Sequence, residues 1–168
     1  MGESILNGKK ILTVDDEPDV LTVLEEEIRE SCPNCVIDKA SSYETAAEKL
    51  KSQTYDVVIL DIMGVRGFDL LELAAKRKFR VAMLTAHALS PEALKKSVEM
   101  GAHAYLPKEK LGEIVPFLED VLTYDYVSGW KNLYSKLKGF FDSKFESDWE
   151  KKTGLNWQEW GGWKLPLK

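Results

Sequence analysis

Five short apolar runs punctuate the first 124 residues, polar residues come close behind four of them, and the stretches between them switch to helical spacing. The runs lie at 10 to 14, 35 to 39, 56 to 60, 80 to 84 and 103 to 106. They are rich in β-branched and aliphatic residues, as strands buried on both faces require. The intervening segments carry apolar stripes at i, i+3 and i+4. Val20, Leu21, Val23, Leu24 and Ile28 form the first stripe, with Glu25-Glu26-Glu27 facing water. Tyr43, Ala46, Ala47 and Leu50 form the second, Leu70, Leu71, Leu73 and Ala74 the third, Leu94, Val98 and Met100 the fourth, and Ile114, Phe117, Leu118, Val121 and Leu122 the fifth. Ser41 or Ser42 suits the N-cap of the second helix and Ser90-Pro91-Glu92 the start of the fourth, while Gly101 suits a helix stop.

Strands alternating with helices predict an α/β fold with a parallel sheet, because parallel neighbours need a crossover and a helix is the usual one. The expected arrangement is the flavodoxin-like, doubly wound five-stranded sheet of order 2-1-3-4-5. In such a sheet the carboxyl ends of the strands meet at one edge, where ligands bind. Asp15 and Asp16 follow the first run, Asp61 the third, Thr85 the fourth, and Lys108 comes just after the fifth. Three carboxylates, a hydroxyl and an ammonium are thus expected in one cleft. That set suits a hard divalent cation and a phosphoryl group, and it leaves one carboxylate as a nucleophile.

Each residue taken alone has a blander reading. Asp15-Asp16-Glu17 before Pro18 suits a helix N-terminus, Thr85 a strand end, Lys108 a solvated surface and Tyr105 a core position. Joint occurrence in this order outweighs those readings.

Asp15-Asp16, Asp61, Thr85-Ala86, Tyr105 and Lys108, on this alternation and at this spacing, resemble the receiver domain of two-component response regulators, over residues 9 to 124. The resemblance implies that Asp61 is a phosphoacceptor for a phosphoryl group from a sensor histidine kinase or a histidine phosphotransfer protein. It implies Mg²⁺ (or Mn²⁺) held by Asp15, Asp16, Asp61 and the backbone carbonyl of Met63. Lys108 and Thr85 would contact phosphoryl oxygens. Thr85 and Tyr105 would act as the switch that reshapes the face of the fourth helix, fifth strand and fifth helix for a downstream protein target. Met63 and His87 occupy the positions that tune dephosphorylation in the family, and Met63 cannot orient an attacking water. The sequence departs from the family after Asp61: Met63 is followed by Gly64 rather than proline, and Gly67 comes early. Glu109 follows Lys108 where the family usually has proline.

Two rival readings follow from the same residues. An Asp-nucleophile phosphatase would carry a second acid at the position of Met63, so an enzyme is not expected. A receiver-like scaffold that never carries phosphate would have no use for the full set of acids with Thr85 and Lys108.

Beyond residue 124 the composition changes: all five tryptophans, Trp130, Trp149, Trp157, Trp160 and Trp163, lie there. Trp130, Leu133, Tyr134, Leu137, Phe140, Phe141 and Phe145 recur at helical spacing, so residues 125 to 168 read as a partly helical, Trp-rich extension of a receiver at 1 to 124. Three roles stay open for its aromatic stripe: docking on its own receiver, forming a homodimer seam or partner-binding helix, and lying at a membrane interface, which ranks last. Residues 1 to 124 carry 15 basic and 22 acidic side chains and residues 125 to 168 carry 8 and 6, which argues against nucleic-acid binding. The N-terminus lacks the features of a signal peptide and no apolar run is long enough to span a bilayer, so a cytoplasmic protein is expected. Cys32-Pro33-Asn34-Cys35 reads as a helix-to-strand turn with reduced thiols.

Overall fold

The structure is a computed structural model and describes residues 4–86 and 89–153. Five strands form one parallel sheet: β1 (Lys10–Val14), β2 (Val36–Ala40), β3 (Val57–Asp61), β4 (Arg80–Thr85) and β5 (Ala104–Pro107), in the order β2-β1-β3-β4-β5. This is the arrangement the alternation predicts. Five helices connect or follow the strands: α1 (Pro18–Ser31), α2 (Tyr43–Ser52), α3 (Gly67–Lys76), α4 (Pro91–Glu99) and α5 (Ile114–Thr123). A 3-10 segment, Lys108–Glu113, joins β5 to α5. α1 packs beside α5 and α2 beside α3.

Burial follows the stripes. Leu21, Leu24 and Ile28 of α1 and Ile114, Phe117, Leu118 and Val121 of α5 are buried. All five residues of β3 are buried, since this strand lies mid-sheet between β1 and β4. Each such aliphatic side chain contributes about 1.5–3 kcal/mol relative to exposure. β2 departs from the expectation of strands covered on both faces. It is an edge strand, and Val36 is 49% exposed. Its Asp38 and Lys39 are the residues that made its run the least apolar of the five.

The caps explain the helix starts. Ser42 accepts a bond from the Thr45 N–H at 3.2 Å, and Ser90 one from the Ala93 N–H at 3.1 Å. α1 is different: Glu17 occupies its N-cap position without a side-chain cap, while Asp15 accepts from the Glu17 N–H at 2.9 Å. Asp15 therefore braces the turn before the helix and keeps its other oxygen for the cleft.

The turn at Cys32-Pro33-Asn34-Cys35 corrects the expectation of reduced thiols, because Cys32 and Cys35 are joined as a disulfide. Cys32 closes α1 by donating to the Ile28 carbonyl, and Cys35 donates back to that of Cys32. This tight turn leaves the two Cα atoms 5.6 Å apart, within reach of a bridge.

Past α5 the chain forms α6 (Tyr126–Lys144) and the short α7 (Trp149–Thr153). Trp157, Trp160 and Trp163 lie outside the described residues. Asp125 caps α6 by accepting from the Ser128 N–H at 2.8 Å. Of the three roles left open for the aromatic stripe, the structure has the first. Trp130, Leu133, Leu137 and Phe141 of α6 are buried, and the helix lies against α5 and β5 while α7 lies against α4. The Trp130 indole N–H donates to the Ala102 carbonyl at 3.0 Å, and the Tyr126 hydroxyl donates to that of Val98. No helix among the described residues is long and apolar enough to cross a membrane.

Candidate phosphoacceptor and metal site

Parallel register places the acids side by side. Val14 is the partner of Leu60, so Asp15 and Asp61 leave neighbouring strands at the same level. The Asp15 N–H donates to the Ala40 carbonyl and the Ile62 N–H to that of Leu84, so both strand ends are held by the ladder. On the other side Leu84 is the partner of Leu106 and Thr85 of Pro107, which brings Lys108 to the same edge.

The side chains converge as this register requires. Carboxylate oxygens of Asp15, Asp16 and Asp61 lie within 4.8 Å of one another. Asp61 is only 4% exposed and Asp15 fully buried, whereas Asp16 opens to solvent. The Lys108 ammonium stands 2.8 Å from Asp15, 3.0 Å from Glu17 and 3.3 Å from Asp61. Thr85 is buried at the end of β4, next to β3. Met63 is 52% exposed in the loop after β3. Tyr105 is buried on β5, with its hydroxyl accepting from the Ser90 N–H at 3.0 Å. His87 falls outside the described residues.

The electrostatics follow from this crowding. Burial, and then the negative charge of Asp15, push the Asp61 carboxyl up to about 6, with Lys108 only partly offsetting them. Burial also raises Asp15, against the pull of Lys108. Burial works against the charge on Lys108, yet the hydrogen bonds and charges of the surrounding carboxylates hold its ammonium above the usual lysine range. Three acids with one ammonium leave the pocket short of positive charge.

A divalent cation fits that shortage. Asp15 Oδ2 is buried, and the Lys108 ammonium 2.8 Å from it is shared with Glu17 and Asp61. A buried carboxylate oxygen in that condition is costly, and a hard cation with oxygen ligands relieves it. Asp16, at the open side, would meet a hydrated ion first. Mg²⁺ and Mn²⁺ both suit an all-oxygen site.

The loop after β3 explains the departures noted in the sequence. Gly64 has φ 85°, and a Cβ there would lie 2.6 Å from the Asp16 carboxylate. A Cβ on Gly67 would lie 2.2 Å from the Asp61 carbonyl oxygen. Only glycine lets this short loop turn across the acids and start α3 at Gly67. Two further participants escaped the sequence reading. Glu17, read there as a helix-start acid, is a partner of Lys108, and the signal was its spacing two residues after Asp15. Ser90, read as a cap, also holds the Tyr105 hydroxyl, and no local pattern announces that contact.

Comparison with known proteins agrees with this geometry. Residues 11–118 match the model of the response regulator receiver domain. The chain is 39% identical over 101 residues to the sensory transduction protein LytR of Staphylococcus haemolyticus, covering 59% of this chain and 39% of that protein. It is 32% identical over 107 residues to the alkaline phosphatase synthesis transcriptional regulatory protein PhoP of Bacillus subtilis, covering 60% and 42%. The chain thus spans about two fifths of the length of these relatives. A solved CheY-like response regulator receiver domain protein from Methanospirillum hungatei superposes with a TM-score of 0.57 at 25% identity, over 67% of this chain and 94% of that one. With fold, site and family model in agreement, this chain belongs to the response regulator receiver family.

Proposed function

We propose that Asp61 accepts a phosphoryl group from a phosphohistidine of a sensor histidine kinase or a histidine phosphotransfer protein. A carboxylate oxygen of Asp61 attacks phosphorus as the N–P bond breaks, and the electron pair leaves with the imidazole. Residues 1 to 124 act as the receiver domain in the cytoplasm, and 125 to 168 as its extension. One observation carries this reading: the Lys108 ammonium, held by Asp15 and Glu17, lies 3.3 Å from Asp61. A fixed cation beside a nearly buried carboxylate is suited to receive the charge that a phosphoryl group brings. Asp15, Asp16, Asp61 and the Met63 carbonyl would hold Mg²⁺ or Mn²⁺, which when bound neutralises phosphoryl oxygens.

The residues of the chain divide the remaining work. Lys108 neutralises one oxygen as a point charge, and Thr85 donates its hydroxyl to another. Thr85 and Tyr105 carry the change to the face of α4, β5 and α5. Met63 brings no hydrogen-bonding group to aim a water, which favours a long-lived phosphoryl state, and His87 is the second position that sets this lifetime. The test is incubation with acetyl phosphate and Mg²⁺, read by intact mass. The expected result is one added phosphoryl group in the wild-type chain and none in Asp61→Asn or without metal. Labelling that survives Asp61→Asn places the acceptor elsewhere.

A further inference from the structure

The face of α4, β5 and α5 is already occupied. We propose that the α6–α7 arm is the resident partner of this face, that it clamps Tyr105, and that its docking opposes phosphorylation of Asp61. The inference rests on the phosphoacceptor reading of Asp61.

Five contacts define the clamp. Tyr105 is 0% exposed, and its ring lies 6.0 Å from that of Phe141 on α6. Phe141 is itself locked, stacked on Phe145 at 5.2 Å and edge-on to Trp149 at 5.7 Å. Trp130 is wholly buried and anchors the helix to Ala102, ahead of β5. Tyr126 anchors it to Val98 on α4, so one helix bridges the elements of the face.

The same tyrosine is tied to the site by two short routes. Its hydroxyl is held by Ser90, five residues after Thr85 along the β4–α4 connection. Its backbone lies on β5 three residues before Lys108, which opens the 3-10 segment that follows the strand. A phosphate on Asp61 adds about −1.5 to −2 charge to a buried pocket. Lys108, shared among Asp15, Glu17 and Asp61, must then redistribute toward the new oxygens. Either route displaces Tyr105. A fully packed ring does not change place without moving what covers it. What covers it here is Phe141, so displacement of Tyr105 and docking of the arm exclude one another.

Linkage makes the opposition reciprocal: whatever factor the phosphate loosens the arm by, the arm weakens the phosphorylated state by the same factor. The arm's aromatic residues are released for another partner only when the receiver is charged. The acidic, lysine-studded rim reinforces the docked form through Asp120, which pairs with Asn132 at 2.7 Å and with Lys136.

The experiment measures both directions in the full chain, with beryllofluoride and Mg²⁺ as the phosphate mimic. Its binding is followed by ¹⁹F NMR, and amide exchange is read over residues 126 to 145. The expected result is saturable binding with exchange across α6 faster by about 5- to 150-fold. Phe141→Ala should bind the mimic more tightly by a similar factor, and Phe141→Leu, which keeps apolar volume but removes the ring, by less. Full binding with unchanged exchange in α6 overturns the clamp and leaves the phosphoacceptor reading intact. Equal affinity in wild type and a folded Phe141→Ala also overturns it. Where Phe141→Ala fails to fold, the Leu variant and the wild-type exchange decide. Absence of ¹⁹F binding in the wild type overturns the phosphoacceptor reading, and the clamp with it.

Discussion

Replacing Asp61 by Asn should stabilise the metal-free protein at neutral pH, although it removes the proposed phosphoacceptor. The fold holds the Asp61 carboxyl up to about 6, against an ordinary 3.8, so the folded state binds its proton more tightly than the unfolded state does. Below the ordinary value both states are protonated and nothing is lost. As pH rises from about 4 to 6 the unfolded chain releases its proton first, and stability falls across that window. Above it the ionised fold carries a constant penalty of about 3 kcal/mol, at roughly 1.4 kcal/mol per pKa unit. The attraction of Lys108 is already included, because it offsets part of the same rise. Asn keeps the shape of the side chain without the charge. Asp61→Asn should therefore gain about 2–3 kcal/mol at pH 7.5 in EDTA, equivalent to a midpoint about 5–10 °C higher. Asp15 faces Asp61 and is raised by burial as well, so the measured curve belongs to the pair. Far-UV circular dichroism during urea and thermal unfolding, from pH 4.5 to 8, reads the effect. The advantage of the variant should shrink toward acid pH, and millimolar Mg²⁺ should narrow it by stabilising the wild type more. A variant less stable than wild type at pH 7.5, or an advantage independent of pH, refutes the argument that burial of Asp61, with Asp15 beside it, sets the cost.

Two other perturbations test the scaffold. Gly64→Ala places a methyl group 2.6 Å from the Asp16 carboxylate at φ 85°, so Mg²⁺ affinity by calorimetry should fall about tenfold and stability by about 1–2 kcal/mol; Gly8→Ala, with nothing within 4 Å of its Cβ, should leave Mg²⁺ affinity unchanged. Reduction of the Cys32–Cys35 bridge opens a loop of very few residues, so dithiothreitol should cost at most about 2 kcal/mol in thermal unfolding and should not alter Mg²⁺ binding, because the turn lies at the opposite edge of the sheet.

The strand runs and the polar residues close behind four of them were legible in the amino-acid order, because buried parallel strands must be apolar along their length and ligands gather where they end. Asp15, Asp61, Thr85 and Lys108 could be placed at one edge from that rule alone, as could the caps at Ser42 and Ser90, whose signals are local. What remained hidden depends on approach between distant segments. Glu17 became a partner of Lys108 only when the β5 end came beside the β1 end. Gly64 is required because the loop holds it at φ 85° and the Asp16 carboxylate lies beneath it. The Cys32–Cys35 pair closed because the turn geometry, which spacing does not specify, brought the two Cα atoms together.

The tail shows the division most sharply. Helical spacing of Trp130, Leu133, Leu137 and Phe141 settled that this stretch after residue 124 is a helix with one apolar face, since periodicity is a property of the chain itself. Which surface that face covers was open, because any apolar surface of matching shape satisfies an aromatic stripe. Tertiary structure chose α4, β5 and α5 through contacts that exist only in three dimensions: an indole on the Ala102 carbonyl, a hydroxyl on that of Val98, and a phenyl ring over Tyr105.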